Sequence, residues 1–339
     1  MSVPTYESLT NAAHKALDAR GELLERLHAE GTNAYRLFHG VTEGFPGVTV
    51  DRYGSVVLVQ SFREPITAQQ FEALREGFSS ATDNVAWVAN HRGKGGNKAL
   101  DWQDASSVVA QQHVAQEGEM QFAFAARHAG KDPWLFLDFR AARRQIRKSS
   151  RGKRVLNTFA YTCTAGVAAA LGDAKSICNV DFSRSALQVG VQNQALNNVQ
   201  NVSTRNLQED YFCAVRQFAG LPVKGRGRSR KKIKRYGAEQ FDLIVLDPPT
   251  WARSPFGAVD IIRDYPSLFK PALLALSDGG QLLATHHDAA VDATTWTEIL
   301  SRCAEKAGRP IRDLQLIEPD SDFPSFDGNP PLKLAWITV

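Results

Sequence analysis

The chain has 339 residues, 43% of them apolar and 22% charged, with a formal net charge of +4. At roughly 150 residues per domain this is enough for about two domains with full hydrophobic cores, and it excludes long disorder and fibrous classes. The uncharged stretch 155–172 is interrupted by Asn157, Thr158, Thr162 and Thr164, which excludes a membrane span, and the first twenty residues lack the apolar run of a signal peptide. The four cysteines, Cys163, Cys178, Cys213 and Cys303, share no CxxC or finger spacing, so neither a zinc site nor a disulfide framework is expected. The expectation is a reduced, cytoplasmic protein with no membrane partner and no metal.

In chain order, apolar positions Leu9, Ala13, Leu17, Leu23, Leu24 and Leu27 have helical spacing, giving a helical segment over 1–30. Short strands follow at 34–40, 48–53 and 55–62, punctuated by glycine and proline turn signals. A helix around 68–78 leads to a strand at 84–90, a loop at 91–104, and strands near 107–115 and 121–126. These make a small α+β domain over 31–128. From 129 to 339 strands and helices alternate: strands at 155–159, 176–183, 202–210, 241–249 and 281–287, with helices at 165–172, 183–198, 211–219, 264–277 and 293–308 between and after them. That alternation implies an α/β fold with a mostly parallel sheet covered on both faces. The last two strands, 314–319 and 332–339, have no helix between them and read as an antiparallel edge hairpin.

Charge is concentrated. Residues 140–154 and 224–235 each hold eight lysines and arginines and no acid, leaving 24 basic against 36 acidic residues elsewhere. Two basic runs on an acidic body suggest a polyanionic partner. Arg140, Arg143, Arg144 and Arg147 recur at helical spacing and suit phosphate contacts. The run at 224–235 precedes a strand and should emerge opposite the ligand edge, where it would add sequence-blind affinity or remain a solvated loop.

Ligands of a doubly wound sheet sit beyond the carboxyl ends of its strands. The first such end carries Asn157-Thr158-Phe159-Ala160-Tyr161-Thr162-Cys163, the second Asp181-Phe182-Ser183, the third Asp210-Tyr211, and the fourth Asp247-Pro248-Pro249-Thr250-Trp251. An acid after the second strand is placed for a ribose, although Asp181 could equally cap the helix that follows. Asp-Pro-Pro makes a stiff turn, because each proline restricts the residue before it to extended backbone. Trp251 beside it could stack on a base, or belong to the core.

These motifs resemble class I S-adenosylmethionine-dependent methyltransferases, and more specifically the large-subunit ribosomal RNA group with a small α+β domain before a Rossmann-like domain. AYRLFHGVTEGFPGVTVDRYG (34–54) is similar to that small domain's opening, and LFLDFRAARR (135–144) to its junction. VLNTFAYTCTAG, VDFSRSAL and FDLIVLDPPT are similar to the cofactor and target motifs, with the pattern of the K half of the K/L fusion enzymes, which make N7-methylguanosine. The resemblance implies S-adenosylmethionine as cofactor and ribosomal RNA or a pre-ribosomal particle as partner. It places Asp181 on the cofactor ribose and Asp210 on its adenine amino group. Leu137, Asp138 and Arg140 would lie at the methionine end, and Asp247 to Thr250 on the target side. Asn157, Phe159, Tyr161, Thr162, Phe182, Ser183 and Tyr211 complete the expected cofactor set. One departure is Cys163, where the usual loop reads Tyr-Thr-Gly.

Target chemistry narrows the choice. Carbon-5 of a pyrimidine needs a cysteine thiolate to add first, and the cytosine-modifying relatives carry it after the next strand, where this chain has His286-His287. Guanine N7 has a free lone pair and requires alignment without an obligatory base. His287 is then expected to line the target pocket. A metal at His286-His287-Asp288 is disfavoured, since neighbours on a strand point to opposite faces. The rival readings are transfer to an exocyclic amine, a non-RNA substrate, or a non-catalytic RNA-binding or assembly factor on a methyltransferase fold.

Overall fold

The computed structural model describes residues 5–93, 96–98, 100, 102, 111–128, 132–223 and 233–339. Two units divide the chain: Met1–Arg140 with Asp320–Phe326, and Ala141–Pro319 with Asp327–Val339.

In the first unit, helices α1 (Tyr6–Ala19) and α2 (Gly21–Ala29) precede strands β1 (Ala34–Phe38), β2 (Val48–Tyr53) and β3 (Val56–Ser61). Helix α3 (Ala68–Gly77) then crosses to β4 (Ala86–Gly93), and β5 (Gly96–Lys98) closes a sheet of order β1-β2-β3-β4-β5. Helix α3 starts where it does because Thr67 and Gln70 form a reciprocal capping box. The expected loop at 91–104 is partly strand, since β4 runs through Gly93 and pairs antiparallel with β5. Strands β6 (His113–Glu117) and β7 (Met120–Phe124) form a separate hairpin, and residues 107–110 of the strand expected at 107–115 lie outside the described residues. Leu9, Ala13, Leu24 and Leu27 share one core with Tyr35, Val57 and Leu74, because a helix pair with one apolar face must bury it somewhere.

The 320–326 segment belongs to this unit through charge. Arg140 is buried, donating Nε to Asp320 (2.6 Å), Nη2 to Asp322 (2.6 Å) and Nη1 to the Ala34 carbonyl (2.9 Å). Asp322 also accepts from the Arg36 backbone N–H at 3.0 Å. Such a buried pair is weakly stabilising as a whole, yet removing one partner costs about 3–5 kcal/mol because a charge is left buried.

Helix α4 (Arg140–Ser149) starts on the last residue of the stretch Met1–Arg140, and the second unit, from Ala141, builds one seven-stranded sheet. Strands β8 (Arg154–Thr158), β9 (Ser176–Asp181), β10 (Ser203–Gln208), β11 (Phe241–Leu246) and β14 (Leu276–His286) are parallel. Helices α5 (Thr164–Leu171), α6 (Arg184–Leu196), α7 (Tyr211–Phe218), α8 (Tyr265–Leu274) and α9 (Ala293–Lys306) follow them in turn. A small hairpin of β12 (Trp251–Arg253) and β13 (Ala258–Asp260) lies between β11 and α8. The order is β10-β9-β8-β11-β14-β16-β15, with β15 (Asp313–Ile317) and β16 (Lys333–Thr338) antiparallel at one edge. This is a Rossmann-like α/β sheet, and the chain reverses direction across it between β8 and β11, where a ligand crevice is expected.

Candidate active site

The loop after β8 lies at that reversal. Phe159, Tyr161 and Cys163 all adopt left-handed backbone, with φ of +52°, +47° and +58°. For a residue with a side chain this conformation costs roughly 1–2 kcal/mol, so the surrounding structure must hold it. It does: Ala160 donates to the Val180 carbonyl at 3.0 Å, Tyr161 N–H to Asp181 at 2.8 Å, and Cys163 N–H to the Ala160 carbonyl at 2.7 Å. The glycine expected at 163 is thus replaced without loss of the left-handed turn. Room for the thiol comes from Gly190 on α6, where an added Cβ would lie 2.5 Å from Cys163 Sγ.

Asp181 ends β9 and is buried. Its Oδ1 accepts from Ser183 N–H (2.7 Å) and its Oδ2 from Tyr161 N–H, so it joins two strand-end loops as well as starting α6, whose N-cap is Ser183. Burial pushes its carboxyl above the usual range, and the two backbone donors partly oppose this. Asp210 is the N-cap of α7, accepting from Phe212 and Cys213 N–H at 2.8 and 3.2 Å, and burial raises it too. A pocket of about 290 Å³ lies between these acids, bounded by Phe159, Phe182, Tyr211, Pro249 and the 252–257 hairpin tip. Phe159 and Tyr211 stack at 4.8 Å, and Phe182 is 70% exposed. Two carboxylates among flat apolar faces suit a nucleoside, whose hydroxyls and amine donate and whose base stacks.

Several expected cofactor residues are engaged within the protein. Asn157 is buried and donates Nδ2 to Asn179 (2.9 Å), which donates in turn to Asn206 (2.8 Å), forming a side-chain ladder across β8, β9 and β10. Thr162 is buried, and its carbonyl accepts from Asn193 at 2.8 Å. Tyr211 presents its ring to the pocket while its hydroxyl donates to the Leu268 carbonyl at 2.5 Å. Leu137 and Asp138 occupy a 3₁₀ turn of the first unit, and Arg140 is held there by its two aspartates. Of the proposed phosphate contacts, Arg143 is fully buried, which removes it from any RNA backbone, whereas Arg144 and Arg147 are half-buried. Residues 224–232 of the other basic run lie outside the described residues.

On the target side, Pro248 is buried while Pro249 and Thr250 are exposed. Trp251 is 64% exposed and not part of the core. Asp247 accepts from Thr285 Oγ1 (2.6 Å) and His287 Nε2 (2.7 Å) on the neighbouring strand end. His286 points the other way, fully buried, with Nε2 on the Ile261 carbonyl (3.2 Å) and Nδ1 accepting from Asp288 N–H (3.3 Å). Among the described residues no cluster of three or more His, Cys, Asp or Glu could hold a metal, and no helix is long and apolar enough to cross a membrane. The Asp247–His287 pairing is the feature that sequence reasoning missed; the strand order that brings the two ends together has no local signal.

Residues 35–336 match the family described as S-adenosylmethionine-dependent methyltransferase. The chain belongs to this family. Among relatives of this methyltransferase, "Ribosomal RNA large subunit methyltransferase" of Deinococcus radiodurans is 31% identical, over 88% of this chain and 71% of its own. "Ribosomal RNA large subunit methyltransferase I" of Aeromonas hydrophila is 29% identical, over 91% and 74%. The fold is shared with the crystal structure of SMU.776 complexed with SAH, at a TM-score of 0.78 and 24% identity, covering 100% of this chain and 83% of that one. It is shared more distantly with the SAM-dependent methyltransferase from Agrobacterium tumefaciens, at a TM-score of 0.61 and 16% identity, covering 86% and 88%. The methyltransferase therefore depends on S-adenosylmethionine, and the Asp181–Asp210 pocket has the chemistry to hold its nucleoside.

Proposed function

We propose that the methyltransferase acts on a base nitrogen of large-subunit ribosomal RNA, guanine N7. The ribosomal substrate is supported by the names of its relatives. The nitrogen target rests on one observation: all four cysteines are buried. Burial pushes every thiol up, Cys178 and Cys213 to about 12, so none is available as the thiolate that carbon-5 chemistry needs.

In this reading the cofactor supplies an electrophilic methyl group when bound. Asp181 accepts from its ribose hydroxyls and Asp210 from its adenine amine, with Phe182 and Phe159 against the ring. Pro249, Thr250 and the exposed Trp251 receive the target base, and Arg144 and Arg147 meet phosphates. A second reading, transfer to an exocyclic amine, is favoured by the Asp247–His287 pair, since an amine must lose a proton. The test is nucleoside mass spectrometry of ribosomal RNA from a deletion strain and its complemented form. Loss and return of N7-methylguanosine is the expected result, and unchanged N7-methylguanosine rejects the target.

A further inference from the structure

We propose that Ser254, at the tip of the β12–β13 hairpin, is a positioning residue for cofactor recognition. Its hydroxyl holds the Asp210 carboxylate in place for the exocyclic amine of adenine, so that the pocket rejects a nucleoside with a carbonyl at that position. This rests on the reading that Asp210 takes the adenine amine.

The hairpin tip is built around this one hydroxyl. Ser254 Oγ accepts from the Phe256 and Gly257 N–H groups at 3.1 and 3.2 Å, while Ser254 N–H donates to the Gly257 carbonyl at 2.9 Å. The hydroxyl proton then has two acceptors, the Gly257 carbonyl at 3.3 Å and the Asp210 carboxylate. The charged acceptor makes the stronger bond. The tip is seated beside that carboxylate by Gly257, which lies against the Phe212 ring. An added Cβ there would be 2.5 Å from Phe212 Cδ2 and 2.6 Å from Cε2, so a side chain would lift the tip away. Phe212 N–H in turn donates to Asp210 Oδ1 at 2.8 Å. Ser254, Gly257, Phe212 and Asp210 all line the nucleoside pocket.

Counting acceptor sites gives this geometry its use. An ionised carboxylate offers about four. The Phe212 and Cys213 N–H groups occupy Oδ1 at 2.8 and 3.2 Å, and Ser254 takes a further site, which leaves about one for a ligand. An amine N–H fills that site, whereas a carbonyl oxygen would face a carboxylate lone pair. Burial pushes the Asp210 carboxyl up, toward the neutral form, and Ser254 opposes this more than either backbone donor does. Glu209, beside it on the pocket wall, does not compete for the hydroxyl: its Oε1 accepts from Asp210 N–H at 3.0 Å and its Oε2 from the Tyr236 hydroxyl at 3.2 Å. Without the hydroxyl, Asp210 loses both its orientation and the donor that most favours its charge. It then accepts an amine less well and tolerates a carbonyl better.

The experiment measures binding to the full chain by calorimetry, with S-adenosylhomocysteine and with S-inosylhomocysteine, in which a carbonyl replaces the amine. The proteins are wild type, Ser254→Ala, Ser254→Thr, Asp210→Asn and the Ser254→Ala/Asp210→Asn double variant. Wild type is expected to prefer the adenine compound about 10- to 100-fold. Ser254→Ala should weaken S-adenosylhomocysteine about 5- to 20-fold and S-inosylhomocysteine less, so the preference narrows. Ser254→Thr keeps the hydroxyl and should stay within about twofold of wild type for both ligands. In the Asp210→Asn protein, removing the hydroxyl should cost less than about twofold, because it acts through that carboxylate. The proposal is overturned by a Ser254→Ala affinity within about twofold of wild type, by equal losses for both ligands, by Ser254→Thr binding as weakly as Ser254→Ala, or by a loss that persists in full in the Asp210→Asn background. An Asp210→Asn protein with wild-type affinity and preference rejects instead the placement of Asp210 on the amine.

Discussion

Replacing Gly190 by Ala tests whether Cys163 and α6 are fitted to one another. The new Cβ would lie 2.5 Å from Cys163 Sγ and 2.9 Å from its Cβ, against ordinary contacts of about 3.5–4.0 Å. Cys163 cannot easily retreat: it is fully buried, its N–H is bonded to Ala160, and its carbonyl accepts from Val167 at 2.9 Å. Overpacking of this kind costs about 1–3 kcal/mol, and Ala in a helix interior returns about 0.5–1 kcal/mol relative to Gly. The net is about 1–2 kcal/mol of destabilisation, or about 2–8 °C in Tm for a unit of this size. In a Cys163→Gly background both clashing atoms are gone and the nearest remaining neighbour is the Thr162 carbonyl at 3.4 Å, so Gly190→Ala should now stabilise by about 0.5–1 kcal/mol. The double-mutant cycle, measured by urea unfolding, should give a coupling of about 1.5–3 kcal/mol. Effects that add within about 0.5 kcal/mol would refute the fitted-pair argument. Binding of S-adenosylhomocysteine is a second readout, because the same loop carries Phe159 to the pocket wall.

Asp210→Asn preserves a good helix cap while removing a carboxyl that burial holds above its usual range, so the ligand-free protein should melt higher and S-adenosylhomocysteine should bind more weakly, by differential scanning fluorimetry and calorimetry respectively. Burial lowers the titration of His28, His39, His128 and His286. The unfolded chain therefore binds more protons than the native one just below the ordinary imidazole value, and stability should fall as pH drops below about 6.5; urea midpoints at pH 5.5 and 7.5 check the sign. A thiol-specific chromogenic disulfide should react with none of the four cysteines in the native protein and with all four in denaturant, and methyl transfer should survive iodoacetamide. Fast native labelling would reopen the thiolate route.

The alternation of strands and helices, the acids after β9, β10 and β11, and the Asp-Pro-Pro turn were legible in the chain because each is a local signal: a hydrophobic period, a strand end, a residue that cannot continue a strand. The same locality hides long-range partners. Arg140 and Arg143 sit at helical spacing with neighbours that are half-buried, and nothing within a few residues shows that these two point inward; Arg140 is neutralised by Asp320 and Asp322, about 180 residues away. Asn157 follows the pattern of a cofactor loop, yet the register of three strands turns it into the first rung of an asparagine ladder.

What the sequence determined by itself was the set of chemical groups and their secondary-structure frame, since propensity and periodicity act over a few residues. What only the tertiary structure decided was which of those groups meet. The parallel pairing of β8 with β9 joins the Tyr161 backbone to Asp181, and the pairing of β11 with β14 sets His287 on Asp247. Those contacts depend on how strands far apart in the chain lie side by side, and that arrangement follows from burying the whole apolar surface at once.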